Sequence, residues 1–278
     1  MIDLLEPLQY GFVVRAMLGA TLVAIVCAGV GVLVVLRGLA FLGDAVAHAA
    51  FPGVVIAFLL KIDLTIGGAI ASIGSALAIG AVARRSGLRE DAAIGVVFSG
   101  MFALGVVLFS SIRQYTGDLL GVLLGNVLGI TDQQLLVAGG ITLLVSGVLA
   151  LAWKELEFIG FDPTGAAAAG LPVVRYDAIL LGLIGLAIAV SIQLVGVVLV
   201  VAMLVTPAAT ARLLAHRMRD MVLIALLVAV GSGLIGIELS YFLNTASGGT
   251  IVLVATLCFA LAWAGRSLLR RRNSGRRP

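Results

Sequence analysis

A succession of long apolar runs limits what this chain can become. They fall at about 14–36, 46–62, 65–83, 92–110, 118–130, 133–153, 177–193, 195–211, 221–243 and 249–265. Most approach the ~20 residues that a helix needs to cross a bilayer. In lipid every backbone N–H and C=O must find a partner inside its own segment, and runs of this length do so as helices. Composition agrees: 62% of the chain is hydrophobic and 12% charged, against about 25% charged in a soluble domain. The 35 glycines suit close approach of helices in lipid. The 118–130 run is too short to span and reads as a re-entrant or surface-lying helix. Asp177 to Leu214 is long enough for two crossings, with the polar pause Ser191–Gln193 as the bend. The reading is an all-α integral membrane protein. It is a polytopic helical bundle of about nine transmembrane helices (eight to nine), in a single transmembrane domain over 1–278.

Lysine and arginine set the orientation. Arg37; Arg84, Arg85 and Arg89; Lys154 and Arg175; Arg212, Arg217 and Arg219; and the tail 266–278 with six arginines occupy alternate loops. Those loops are expected in the cytoplasm, with the C-terminus inside and, for nine spans, the N-terminus outside. The intervening loops hold Lys61 and Arg113 but also Asp63, Asp118 and Asp132. The first run is too long for a signal-peptide core and reads as a retained span. The basic tail reads as a stop-transfer anchor and not as a nucleic-acid patch.

Within this apolar background the stretch RGLAFLGDAVAHAAFPG, Arg37 to Gly53, stands out. Asp44 and His48 are four residues apart, so a helix stacks them on one face. Pro52 has no N–H for the His48 carbonyl, which predicts a kink beside the imidazole. Carboxylate, imidazole and a loosened carbonyl suit Mn, Fe or Zn. The plainer reading is a helix end with a satisfied Asp–His pair. Ionisable groups at membrane depth cost roughly 2.5–3.5 kcal/mol each on insertion scales and mark pathways, which favours the ligand reading.

Other features carry less. Gly121, Gly125 and Gly129 form GxxxGxxxG, a face for close packing. Asp118 opens that segment as a helix cap or as an outer-mouth acid. Glu238, near the outer end of its run, reads as a third acid facing the pathway or as a side chain snorkelling to the interface. His216 sits among arginines and reads as solvated. Cys27 and Cys258 lie in apolar runs and read as small buried hydrophobes. The loop at about 154–176, KELEFIGFDPTGAAAAGLPVVRY, builds its own short helix: Asp162 as cap, Pro163 first, Gly170 and Pro172 as the stop. A loop that builds a capped helix outside the membrane suggests a docking partner. There is no GxxxxGK[ST], HExxH or GxSxG, so no P-loop, zinc-protease or hydrolase motif supports chemistry in this chain.

Four stretches in order resemble one family. These are LVVLRGLAFLGDAVAHAAFPGVVIAFLL, DLLGVLLGNVLGI (with Leu124 where Phe is more usual), FDPTGAAAAGLPV, and VGVVLVVAMLVTPAATARLL with GGTIVLVATLCFAL. The chain is similar to the membrane permease subunits of the manganese, zinc and iron ABC importers. That resemblance implies the fold of type II ABC importer permeases and a place in a bacterial inner membrane. It implies a homodimer of permeases, two cytoplasmic ABC ATPase subunits that bind the ATP, and an extracytoplasmic metal-binding protein. It implies no covalently bound cofactor, with Mn2+, Zn2+ or Fe2+ as cargo. Asp44 and His48 would touch the ion. The helix with Asp162, Pro163, Ala167, Gly170 and Leu171 would couple to the ATPase. The alternatives are a stand-alone metal/proton carrier using Asp44 and Glu238, and a membrane enzyme with Asp44–His48 as acid–base pair.

Overall fold

The computed structural model describes residues 6–112 and 127–274. Twelve α-helices occupy these residues: α1 (Gly11–Leu36), α2 (Ala40–Ala49), α3 (Phe51–Leu60), α4 (Leu64–Ser86), α5 (Glu90–Ser110), α6 (Asp132–Leu151), α7 (Trp153–Phe161), α8 (Pro163–Ala168), α9 (Val173–Val195), α10 (Val197–Leu214), α11 (Met218–Leu243) and α12 (Ser247–Ser274). Among the described residues nine helices are long and apolar enough to cross a membrane, counting α2 and α3 as one broken span, Ala40–Leu60. This matches the expected nine. The 118–130 segment, with Asp118, Gly121 and Gly125, lies outside the described residues except for its end, where Val127–Gly129 forms a 3-10 turn.

α1 and α9 are the most enclosed of the full-length spans, while α5, α6 and α12 keep most of their surface open. α1 packs against α6, α9, α10 and α11, and its buried side is small and branched: Ala16, Ala20, Val23, Ala24, Cys27, Val30. Backbones come close where glycine leaves room. A Cβ on Gly53 (α3) would lie 2.2 Å from the Gly67 carbonyl oxygen of α4, and one on Gly67 would meet the Gly53 oxygen equally closely. Gly31 and Gly185 let α1 meet α10 and α9 meet α4 in the same manner.

The helix ends follow local chemistry. α1 stops in a Schellman turn: Gly38 takes φ +75°, Leu39 N–H donates to Val34 and Gly38 N–H to Val35. Arg212 of α10 donates to the Val35 carbonyl at 2.6 Å. Arg37 donates to Asp177 of α9 at 2.7 Å. The start of α9 and the end of α10 therefore both meet the end of α1, so α9 and α10 form an antiparallel hairpin. Their reversal is not at Ser191–Gln193, where the sequence suggested it. Both residues lie within α9 and find partners on other helices, Ser191 against Cys27 of α1 and Gln193 donating to Thr65 of α4. The chain turns at Gly196 (φ 81°, ψ 167°), a conformation open essentially to glycine alone.

Arg37, Arg84, Glu90 and Asp177 line one small cavity, and Gly160 of α7 sits against Leu36. The loops expected on one side thus converge at one end of the bundle. At the other end a polar cavity of about 350 Å³ is lined by Asp63, Thr65, Thr131, Gln134 and Gln193.

Candidate metal pathway and coupling surface

The span is interrupted two residues before Pro52, though Ala50 still accepts from Val54 and donates to Val46. α2 ends at Ala49 and α3 starts at Phe51, with Ala50 between them at near-helical angles (φ −67°, ψ −27°). On α2, Leu42, Ala45, Val46, Ala47 and Ala49 are buried, whereas Phe41 is 74% exposed. Asp44 and His48 share the open face, their side chains 50% and 37% exposed. The pair therefore looks outward from the single chain instead of being enclosed in it, as its placement among apolar runs suggested. The reason lies in α2 itself, which buries its small apolar side against α4, α9 and α10.

His48 Nε2 and Asp44 Oδ1 are 3.5 Å apart, longer than a good hydrogen bond. Two ligand atoms each ~2.1 Å from one ion would stand roughly 3.0–3.4 Å apart at cis-octahedral or tetrahedral angles. The pair is thus within about half an ångström of a chelating spacing. The described residues hold no group of three or more His, Cys, Asp or Glu able to surround a metal. Among the described residues, Asp44 and His48 therefore stand as a pair with no third such group beside them.

The imidazole is held by α5. Phe98 lies 5.9 Å from it and Phe102 meets it edge-on at 6.0 Å. Phe51 in turn packs on Phe102 and Phe109. Gly105 makes room: a Cβ there would come 2.6 Å from Phe51 and 3.2 Å from Pro52. Sequence reasoning missed this wall, although Phe98 and Phe102 stand four apart in one span and share a face. Glu238 is half-buried on α11, which packs on α1, α10 and α12. The structure does not bring it to the Asp44–His48 pair.

Outside the bundle, α8 forms as its sequence dictates. Asp162 accepts the Gly165 N–H at 2.8 Å, Pro163 takes the first position, and Ala166 is buried. The helix closes in a second Schellman turn, with Gly170 at φ +84° and Leu171 N–H donating to Ala166. Asp162, Pro163, Ala167 and Gly170 are exposed and Leu171 is half-buried. Two features of this loop were not legible. Trp153–Phe161 is itself a helix, α7, anchored by Leu156 and Ile159. Phe161, beside Asp162, is 63% exposed.

A third feature was missed because it joins distant segments. Arg37 and Asp177, with side chains 14% and 25% exposed, form an ion pair beside Glu90. It ties the corner before α2 to the first turns of α9, a few residues beyond α8.

The described residues thus form an all-helical membrane bundle of nine spans, the second interrupted beside an Asp–His pair that opens to the surface, with a capped helix at its basic end. Residues 9–266 match the ABC 3 transport family, and the chain belongs to that family. The manganese transport system membrane protein of Halalkalibacterium halodurans is 43% identical over 258 residues, covering 93% of this chain and 88% of that one. The chelated iron transport system membrane protein of Yersinia pestis is 40% identical over 260 residues, 92% of this chain and 86% of that one. Among solved structures, PsaBC from Streptococcus pneumoniae in complex with Fab superposes with a TM-score of 0.83 at 33% identity, covering 94% of both chains.

Proposed function

We propose that this chain is the permease subunit of an ATP-driven importer of a divalent transition metal, with Mn2+ as first candidate and Fe2+ or Zn2+ as others. The observation that carries the reading is the Asp44–His48 pair: near chelating distance, open on one face, and without a third such ligand among the described residues. Two copies facing each other across that surface would place two carboxylates and two imidazoles on a shared path. Conduction requires that a site on this path bind the dication weakly enough to release it. Relatives named for manganese and for chelated iron support the cargo class. Carboxylate and imidazole suit these metals alike, so selection is assigned to an extracytoplasmic metal-binding protein.

Energy enters from two cytoplasmic ATPase subunits that grip α8 through the surface of Asp162, Pro163, Ala167, Gly170 and Leu171. The basic end of the bundle faces the cytoplasm by the lysine–arginine rule, which places the C-terminus inside and the N-terminus outside. Movement of α8 is passed to α9 and alternates access to the pair.

The test is uptake of radiolabelled manganese into proteoliposomes holding the permease with its ATPase and metal-binding protein. Asp44→Ala and His48→Ala are expected to abolish uptake while the complex still assembles and hydrolyses ATP. Uptake at the parent rate in both variants would remove the pair from the pathway. Transport by the permease alone without ATP would replace this mechanism with a secondary carrier.

A further inference from the structure

A groove of about 640 Å³ opens on the flank formed by α1, α6, α7 and α11. Its walls are apolar, including Ile25, Val145, Leu149, Val222 and Leu226, and no acid lines it. At one end stand Trp153, Lys154 and Arg219. Lys154 and Arg219 are exposed and form no ion pair with another described residue.

From this arrangement we infer a binding site for one anionic phospholipid of the leaflet that meets the basic end of the bundle. From Arg219 to Leu226 the groove follows seven residues of α11, about 10 Å at 1.5 Å per residue. From Val145 to Lys154 it follows nine residues across α6 and α7, about 13 Å by the same rise. One leaflet contributes roughly 15 Å of hydrocarbon. The groove therefore takes an acyl chain along its depth and stops where the headgroup begins. Trp153 sits at that level, where indole rings collect at membrane interfaces. Two unpaired cations beside an apolar slot between helices are the pattern that holds anionic headgroups. A zwitterionic lipid would fill the slot but leave both cations unanswered.

The groove stays open in the assembly proposed above. Asp44–His48 is faced by α5, which packs on α2, α3 and α4, whereas α6 and α11 pack on α1. Two copies meeting over the ligand pair leave the α6–α11 flank to lipid. The site itself does not depend on which metal moves.

The assay is native mass spectrometry of the assembled transporter released from nanodiscs of mixed phosphatidylglycerol and phosphatidylethanolamine. The parent protein is expected to retain one phosphatidylglycerol per permease chain in preference to phosphatidylethanolamine. Lys154→Gln and Arg219→Gln should each lower that retention about fivefold, and the double variant about twenty-fivefold. Arg217→Gln removes the same charge from a residue that does not line the groove, and should leave retention unchanged. Ala150→Phe blocks the slot with both cations intact and should also abolish retention. Equal retention of both lipids, or an equal loss in Arg217→Gln, would reduce the effect to a diffuse annulus and overturn the site. So would cross-linking of an Ala150→Cys variant to a second permease chain, which would put protein in the groove. Metal uptake by the same variants reads the Asp44–His48 proposal separately.

Discussion

Replacing Asp177 by Asn takes the close anionic partner from a guanidinium and leaves, among the described residues, only Glu90 nearby. Arg37 has one close anionic partner at 2.7 Å, and its Nε and Nη2 are buried without a hydrogen-bond partner. Unit charges about 4 Å apart interact by ~4 kcal/mol at an effective dielectric near 20. Removing one member of a fully buried pair costs about 3–5 kcal/mol. The residual exposure of 14% and 25% lets water answer part of the orphaned charge, so about 2 kcal/mol is expected for Asp177→Asn. Arg37→Gln should cost about the same. The double variant strands neither charge and should cost less than the sum, with a coupling of about 1–2 kcal/mol. Thermal unfolding of the purified chain, followed by tryptophan emission, measures the cycle. A functional effect should accompany it. The pair joins the α1–α2 corner to α9 just beyond α8, so ATP hydrolysis in the single variants should persist while metal uptake per ATP falls. Strict additivity in the cycle, together with unchanged coupling, would mean the ion pair holds nothing together.

Four further outcomes are expected. Gly67→Leu cannot be accommodated with the Gly53 carbonyl 2.2 Å from its Cβ; it should cost about 3 kcal/mol and be read as loss of folded protein in detergent. Gly170→Ala forces a side chain into φ +84°; it should weaken ATPase co-purification, destabilising the turn by about 1 kcal/mol. Asp162→Lys reverses the charge of the α8 cap and should reduce co-purification further; an unchanged pull-down would show that the ATPase docks elsewhere. Asp63 caps α4, and its bonds to Thr65, aided by that of Ile66, hold its carboxyl below the usual range. Because the folded value is the lower one, the ionised cap stabilises at neutral pH. That contribution fades as pH falls from about 3.9 through the folded value. Asp63→Ala should cost about 1 kcal/mol at pH 7 and show a flatter stability profile in acid.

The spans were legible because lipid leaves few solutions to a twenty-residue apolar run. The caps at Asp162 and Gly170 were legible because each depends on one residue and its near neighbours. The Asp44–His48 spacing could be read for the same reason, but its exposure could not, since burial depends on which neighbours α2 meets. The turn at Gly196 was misplaced because polarity was taken as the breaker. Ser191 and Gln193 find partners on α1 and α4, segments far away in the chain. Phe98, Phe102 and the Arg37–Asp177 pair were hidden likewise, their meaning arising only when remote helices come together.

The mutual contact of Gly53 and Gly67 has a mechanical consequence. With no side chain between them, α3 and α4 interlock like two halves of a dowel joint, and neither can slide without the other. Just before this joint the chain is broken at Ala50, and the segment carrying Asp44 and His48 lies on the far side of the break. A tilt imposed from the basic end would find its pivot there, with the half that carries Asp44 and His48 free to move while the half locked to α4 stays in place.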